Sequence, residues 1–420
     1  MTKQTQGFLS LLHDALNGET VRDPELSPAE WKKLFALARQ QKLLPLILHA
    51  AMETPSLRSA MNAHGSEDGL SLRPLQEQAL TEINRQVYQE NDLLQILLSL
   101  REEGLEPLIV KGAAVRGLYP IPQLRPSVDE DLLIQPREAA AYHAALQRLG
   151  LTPDDPSTAP DTVSECSYHR PDSPTYLEVH QALFEPTSPV YGSFNLLFTG
   201  CFSRAQELQI QDVAVRTLCP TDHLLFLILH AYKHFVHSGF GLRIAADVCL
   251  FTRHYADQLD LDEIYADCRD LRCHRFAAAV YRIGQRYLGI EAPEPFASVS
   301  CDEAPLLEDM LQAGLHGQDI DRLHSANITL GSIADDRNGK QNGGMSLRSS
   351  LFPPAGSLKG RYPYLQKHAW LLPVAWTQRM GAYLMQGRKD RPSAHPVKSV
   401  RIGKERVALL REYGIIGKDD

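Results

Sequence analysis

The stretch from Val110 to Ile134, Val-Lys-Gly-Ala-Ala-Val-Arg-Gly-Leu-Tyr-Pro-Ile-Pro-Gln-Leu-Arg-Pro-Ser-Val-Asp-Glu-Asp-Leu-Leu-Ile, constrains the chain more than any other segment. It sets two acids, Asp129 and Asp131, directly before an apolar run, Leu132, Leu133 and Ile134. Side chains alternate across a β-strand, so this spacing puts both carboxylates on one face, about 7 Å apart. Two carboxylates held that way can share a divalent cation. The apolar residues bury the rest of the strand and leave the acids at its exposed beginning.

The surroundings predict a mixed α+β unit. Apolar residues at helical spacing, as in Asn91-Asp-Leu-Leu-Gln-Ile-Leu-Leu-Ser-Leu100, make residues 1–103 helical, and Gly104 reads as the stop. Leu108-Ile-Val110 has strand length and ends at Lys111-Gly112, a short helix follows, and a loop with Pro120, Pro122 and Pro126 leads into the acid strand. Ala139 to Gly150 reads as a helix with a glycine stop. Cys166-Ser-Tyr-His and Tyr176-Leu-Glu-Val-His180, separated by Arg-Pro-Asp-Ser-Pro, read as a hairpin. From Thr221 the pattern is helical again, over a long apolar helix to His234 and then roughly 242–254, 260–289 and 303–316.

At 420 residues the chain exceeds one average domain. The expected division is a helical region at 1–103, a core at 104–218, a second helical region at 219–330, a flexible linker or loop at 331–361 and a docking segment with a basic tail at 362–420. A net charge of −8 argues against a general pull toward nucleic acid. No signal-like start and no membrane-length apolar run occur, which points to a cytoplasmic protein without a membrane partner. The seven cysteines have no Cys-x-x-Cys spacing, so they read as reduced structural thiols, and Cys166 has no base in sight that would make it a nucleophile.

An acid pair on one strand, a glycine turn upstream and a third acid on a neighbouring strand suit metal-dependent nucleotidyl transfer, because magnesium takes oxygen ligands and keeps substrate phosphates in its shell. Glu178 is the best third acid, on the same strand face as Tyr176 and His180, with Asp172 its rival. His230 and His234, at i and i+4, could clamp zinc, but the simpler reading has them lining a cleft and facing the nucleotide. Lys233 and Arg243 read as phosphate or acceptor contacts, and Asp247 as the helical ion-pair partner of Arg243. The run from Arg388 to Arg406 reads as a solvated basic face, and Trp370 and Trp376 as core or interface anchors.

Lys111-Gly112, Arg125-Pro126 and Val128-Asp129-Glu-Asp131-Leu-Leu-Ile together resemble an uncharacterised bacterial nucleotidyltransferase family of the DNA polymerase β-like superfamily. Leu177-Glu178-Val-His180, Pro220-Thr-Asp-His-Leu with His230 and His234, and Leu242-Arg243-Ile-Ala-Ala-Asp247 look like later elements of the same family, and the likeness spans roughly 25 to 290. The resemblance implies a small mixed sheet of polymerase β-like type between helical segments. It makes Asp129, Asp131 and Glu178 catalytic ligands of Mg²⁺ or Mn²⁺, and Lys111 and Gly112 the turn that faces a nucleoside triphosphate such as ATP; Arg125, His180, Lys233 and Arg243 read as further contacts to the nucleotide. The wider superfamily has Gly-Ser at the turn, where this chain has Gly112-Ala113, so Lys111 and Arg125 are expected to supply phosphate contacts as point charge and fork. The implied reaction moves a nucleoside monophosphate to a hydroxyl of an acceptor that is a small molecule, a peptide or a protein. A non-catalytic nucleotide- or protein-binding scaffold, and a metal-dependent glycosyl transferase using a nucleotide sugar, are the alternatives.

Overall fold

The computed structural model of the protein describes residues 1–62, 70–314, 320–337, 368–378 and 396–417. Helices come first: α1 Lys3–Asn17, α2 Pro28–Gln40, α3 Leu44–Ala51, α4 Pro55–Asn62 and α5 Arg73–Glu102. Gly104, at φ +75°, turns the chain out of α5 in the left-handed conformation that glycine adopts without a Cβ penalty. The central part then alternates strands with short helices: β1 Leu108–Ile109, α6 Ala113–Arg116, β2 Glu130–Leu133, α7 Ala139–Arg148, β3 Thr152–Pro153, β4 Glu165–His169, β5 Tyr176–His180, α8 Cys201–Arg204, β6 Gln206–Ile210 and β7 Val213–Thr217. Helices close the chain: α9 Pro220–His237, α10 Leu242–His254, α11 Leu261–Asp270, α12 His274–Leu288, α13 Ala304–Ala313, α14 Ile320–Arg337 and α15 Pro396–Glu412.

The strands form one seven-stranded mixed sheet in the order β3-β4-β5-β2-β1-β7-β6. β2 runs parallel to β5 and antiparallel to β1, and β1 runs parallel to β7. Alternation along the central strands divides the apolar residues between two cores. Leu108, Val110 and Leu133 face a large core shared with α9, α10 and α12. Ile109, Leu132, Leu177 and Val179 face a smaller one built with the C-terminal half of α5 and with α7. By the same alternation Asp131 and Glu178 turn toward the α9 side, and Glu130 turns the other way.

Glu130 fixes the turn after β1. Its buried carboxylate accepts the Ala113 backbone N–H at 2.7 Å and pairs with Arg116, which also pairs with Glu90 of α5. Gly112 makes this possible, because its φ is +54° and a Cβ there would stand 2.1 Å from Glu130 Oε2. Gly112→Ala is therefore expected to cost about 2–3 kcal/mol, from the left-handed backbone plus displacement of the carboxylate. A urea denaturation midpoint unchanged from wild type would contradict that.

His223 ties α9 to the same turn. Its Nε2 lies 2.7 Å from the Val110 carbonyl and its Nδ1 3.3 Å from Thr217 Oγ1. Burial pushes its pKa down to about 4, so the folded state holds the ring neutral. The native state then binds fewer protons than the unfolded chain, and this contribution to stability fades as pH falls from about 6.5 toward 4. His223→Phe should flatten that part of the stability profile while costing about 1–3 kcal/mol at neutral pH for the unpaired Val110 carbonyl. Urea midpoints at pH values spanning that window check both effects.

Three expectations change. Residues 331–337 are not linker but the last turns of α14, held because Ile328, Ser332 and Ile333 are buried; the rest of the expected linker, 338–361, lies outside the described residues. Where the basic run is described, on α15, Lys398, Arg401 and Lys404 are exposed as a solvated face requires, but Arg406 is buried, with Nη1 3.0 and 2.9 Å from the two carboxylate oxygens of Asp309. Trp370 is 75 % exposed and so belongs to no core, while Trp376 is half-buried against a small cluster around Ala375.

Candidate active site

A cavity of about 310 Å³ opens between the acid end of the sheet and α9, lined in part by Lys111, Asp129, Asp131, Glu165, Glu178 and His180. Strand register brings the acids together. Asp131 on β2 lies beside Glu178 on the parallel neighbour β5, and Glu178 in turn lies beside Ser167 on β4. Two positions on, His180 is opposite Glu165 across the hairpin and beside Leu133.

Asp131 is the hub. Its Oδ1 accepts from Lys111 Nζ at 2.8 Å and lies 3.0 Å from His180 Nε2. Its Oδ2 is buried without a hydrogen-bond partner among the described residues. Burial pushes its pKa up, but the Lys111 charge and the His180 hydrogen bond outweigh burial and hold the carboxyl well below the usual range. Burial likewise opposes charge on Lys111, yet the carboxylates of Asp131, Asp129 and Glu178 keep it firmly protonated. His180 Nε2 is also 3.6 Å from Glu178 and its Nδ1 is 3.4 Å from Glu165. Burial lowers its pKa, but the hydrogen bonds to Asp131 and Glu178, with the charges of Asp131 and Glu165, raise it to about 9. Asp131, Glu178 and His180 each offer a ligand atom, all within 4.8 Å of one another.

Asp129 lines the cavity but lies outside that group, because β2 begins only at Glu130 and Asp129 belongs to the irregular lead-in. Gln86 and Gln89 of α5 hold the lead-in: Ser127 N–H donates to Gln86 Oε1, and the Gln89 amide donates to the carbonyls of Val128 and Pro174. From the helix side the wall carries Phe226, His230, Lys233 and His234. Burial, and then the charge of Lys111, lowers the pKa of Lys233.

Arg125 and Arg243 sit elsewhere than a phosphate fork would. Arg125 is buried and grips Asp247 with two bonds, Nε to Oδ1 at 2.9 Å and Nη2 to Oδ2 at 2.6 Å, and Tyr119 OH adds a third to Oδ1 at 2.8 Å. Asp247 is thus the partner of Arg125 rather than of Arg243, which donates to the Pro126 carbonyl. Both arginines brace the proline loop against α10 and neither lines the cavity. Asp172 occupies the exposed hairpin turn at φ +60° and does not line the cavity. Glu130 and Glu165 were not anticipated. The signal for Glu165 was the hairpin register opposite His180, and that for Glu130 was an acid on the buried side of an otherwise apolar strand.

A protein-family model described as an uncharacterised nucleotidyltransferase matches residues 27–289, which include the sheet, the acids and α9 to α12. No curated protein and no solved structure matches the chain. Among the described residues, no helix is long and apolar enough to cross a membrane.

Proposed function

Because the chain belongs to the uncharacterised nucleotidyltransferase family, we propose that it moves a nucleoside monophosphate from a nucleoside triphosphate to an acceptor hydroxyl, with Mg²⁺ or Mn²⁺ as cofactor. The observation that carries this reading is the register of Asp131 against Glu178 on parallel neighbours, with Lys111 held on Asp131 at the mouth of one cavity. The residues fit a hard divalent ion. Asp131 Oδ2 is a buried carboxylate oxygen with no partner among the described residues, Glu178 stands beside it, and Asp129 lines the same space. Such an ion supplies neutralisation of phosphate charge and a lowered pKa for a bound hydroxyl.

The chain's own groups do the rest. Lys111 and Lys233 face the cavity from opposite walls and offer positive charge to a polyphosphate. The Gly112 turn, braced from behind by Glu130 and Arg116, keeps Lys111 in place. His180, charged near neutral pH, orients Asp131 and Glu178. Phe226 and Leu183 give the cavity apolar surface against which a base or an acceptor can pack.

The test uses ATP labelled on either the α- or the γ-phosphate, with small-molecule, peptide and protein acceptors. Nucleotidyl transfer puts the α-label on the acceptor and releases pyrophosphate. Label from the γ-phosphate on the acceptor, or product from a nucleotide sugar without pyrophosphate, would replace the proposal by a kinase or a glycosyl transferase.

A further inference from the structure

His230 and His234 stand one turn apart on α9 and both line the cavity. Their Nε2 atoms share a hydrogen bond at 3.1 Å, their ring centroids lie 4.5 Å apart, and the rings meet at 78°. Phe226, four residues earlier, packs 5.6 Å from the His230 ring and limits its rotation. Imidazole nitrogens bind zinc at about 2.0–2.1 Å, and two nitrogens at this separation subtend roughly 100° at such an ion, between tetrahedral and square corners. Magnesium has no use for such a pair, because it prefers oxygen.

Four carboxylates, Asp129, Asp131, Glu165 and Glu178, line the same cavity.

We propose that His230 and His234 chelate a divalent ion of the zinc class through their Nε2 atoms, at a second site across the cavity from the acid group. Both rings are then neutral with the proton on Nδ1, and the remaining positions of the ion are open to water or to a group of the acceptor. The site needs only the histidine pair, so it stands whether or not the acid group carries nucleotidyl transfer.

The experiment is zinc titration by calorimetry on the full chain in saturating magnesium, with the bound metal counted after dialysis. Wild type, His230→Ala, His234→Gln and the double substitution Asp131→Asn/Glu178→Gln are compared, with their metal-free melting temperatures to confirm folding. The expected result is one zinc ion per chain more in wild type than in either histidine variant, or about a tenfold or greater loss of affinity in those variants, with the acid double variant still binding. His234→Gln tests the site independently should His230→Ala fail to fold. Equal zinc binding in wild type and the folded histidine variants overturns the proposal, as does loss on the acid substitutions alone.

Discussion

Asp131→Asn should abolish metal-dependent triphosphate binding and slow nucleotidyl transfer by about 10²–10³-fold or more. The substitution keeps the volume and removes the charge at a residue that touches both Lys111 and His180. Two consequences follow together. The ion loses the buried Oδ2 as a ligand, and two cations lose the carboxylate that holds them in place. Glu178→Gln should act on the same ion through a neighbouring oxygen, so the double variant should be hardly worse than the poorer single one. Additive losses would mean that the two acids serve separate steps. Calorimetry of the triphosphate with and without magnesium, beside pyrophosphate release, separates binding from turnover.

Arg125→Ala should cost about 3–5 kcal/mol of stability, because it strands Asp247 as a buried and uncompensated charge. The effect belongs to folding and not to phosphate binding. Arg125→Met combined with Asp247→Leu should recover much of the loss, since both charges then leave the interior together. The folded double variant should keep its triphosphate affinity. Full stability in the single variant, together with a large rise in KM, would instead return Arg125 to the phosphate-binding role that its sequence position suggested.

Local pattern carried much of the architecture. The glycine stops, the apolar run at Leu108, the hairpin from Glu165 to His180 and the helical spacing of α9, α10 and α13 all follow from residues near one another in the chain. Asp131, Glu178, His180 and Lys111 were legible for the same reason, as polar residues on or directly beside short apolar strands. Long-range partners were the weak point. The Arg125–Asp247 pair joins residues 122 apart, and Arg406 meets Asp309 from 97 away, so local sequence makes Arg125 a phosphate fork and Arg406 part of a solvated face. Asp129 shows a subtler limit. Period-two spacing treats both acids as strand residues, but the ladder begins between them, and the close neighbour of Asp131 proves to be Glu178 on another strand. His223, one of several histidines on α9, differs from His230 and His234 because the end of β1 covers it, which helical spacing alone does not reveal.

The central claim is that the group around Asp131 holds a divalent ion for a triphosphate. The most direct measurement is calorimetric titration of each of the four nucleoside triphosphates, with and without Mg²⁺, into wild type and Asp131→Asn. Binding that requires the metal in wild type and vanishes in the folded variant is the predicted result. Binding to neither protein, or binding that ignores both the metal and the substitution, would contradict it and leave the fold as a scaffold without this chemistry.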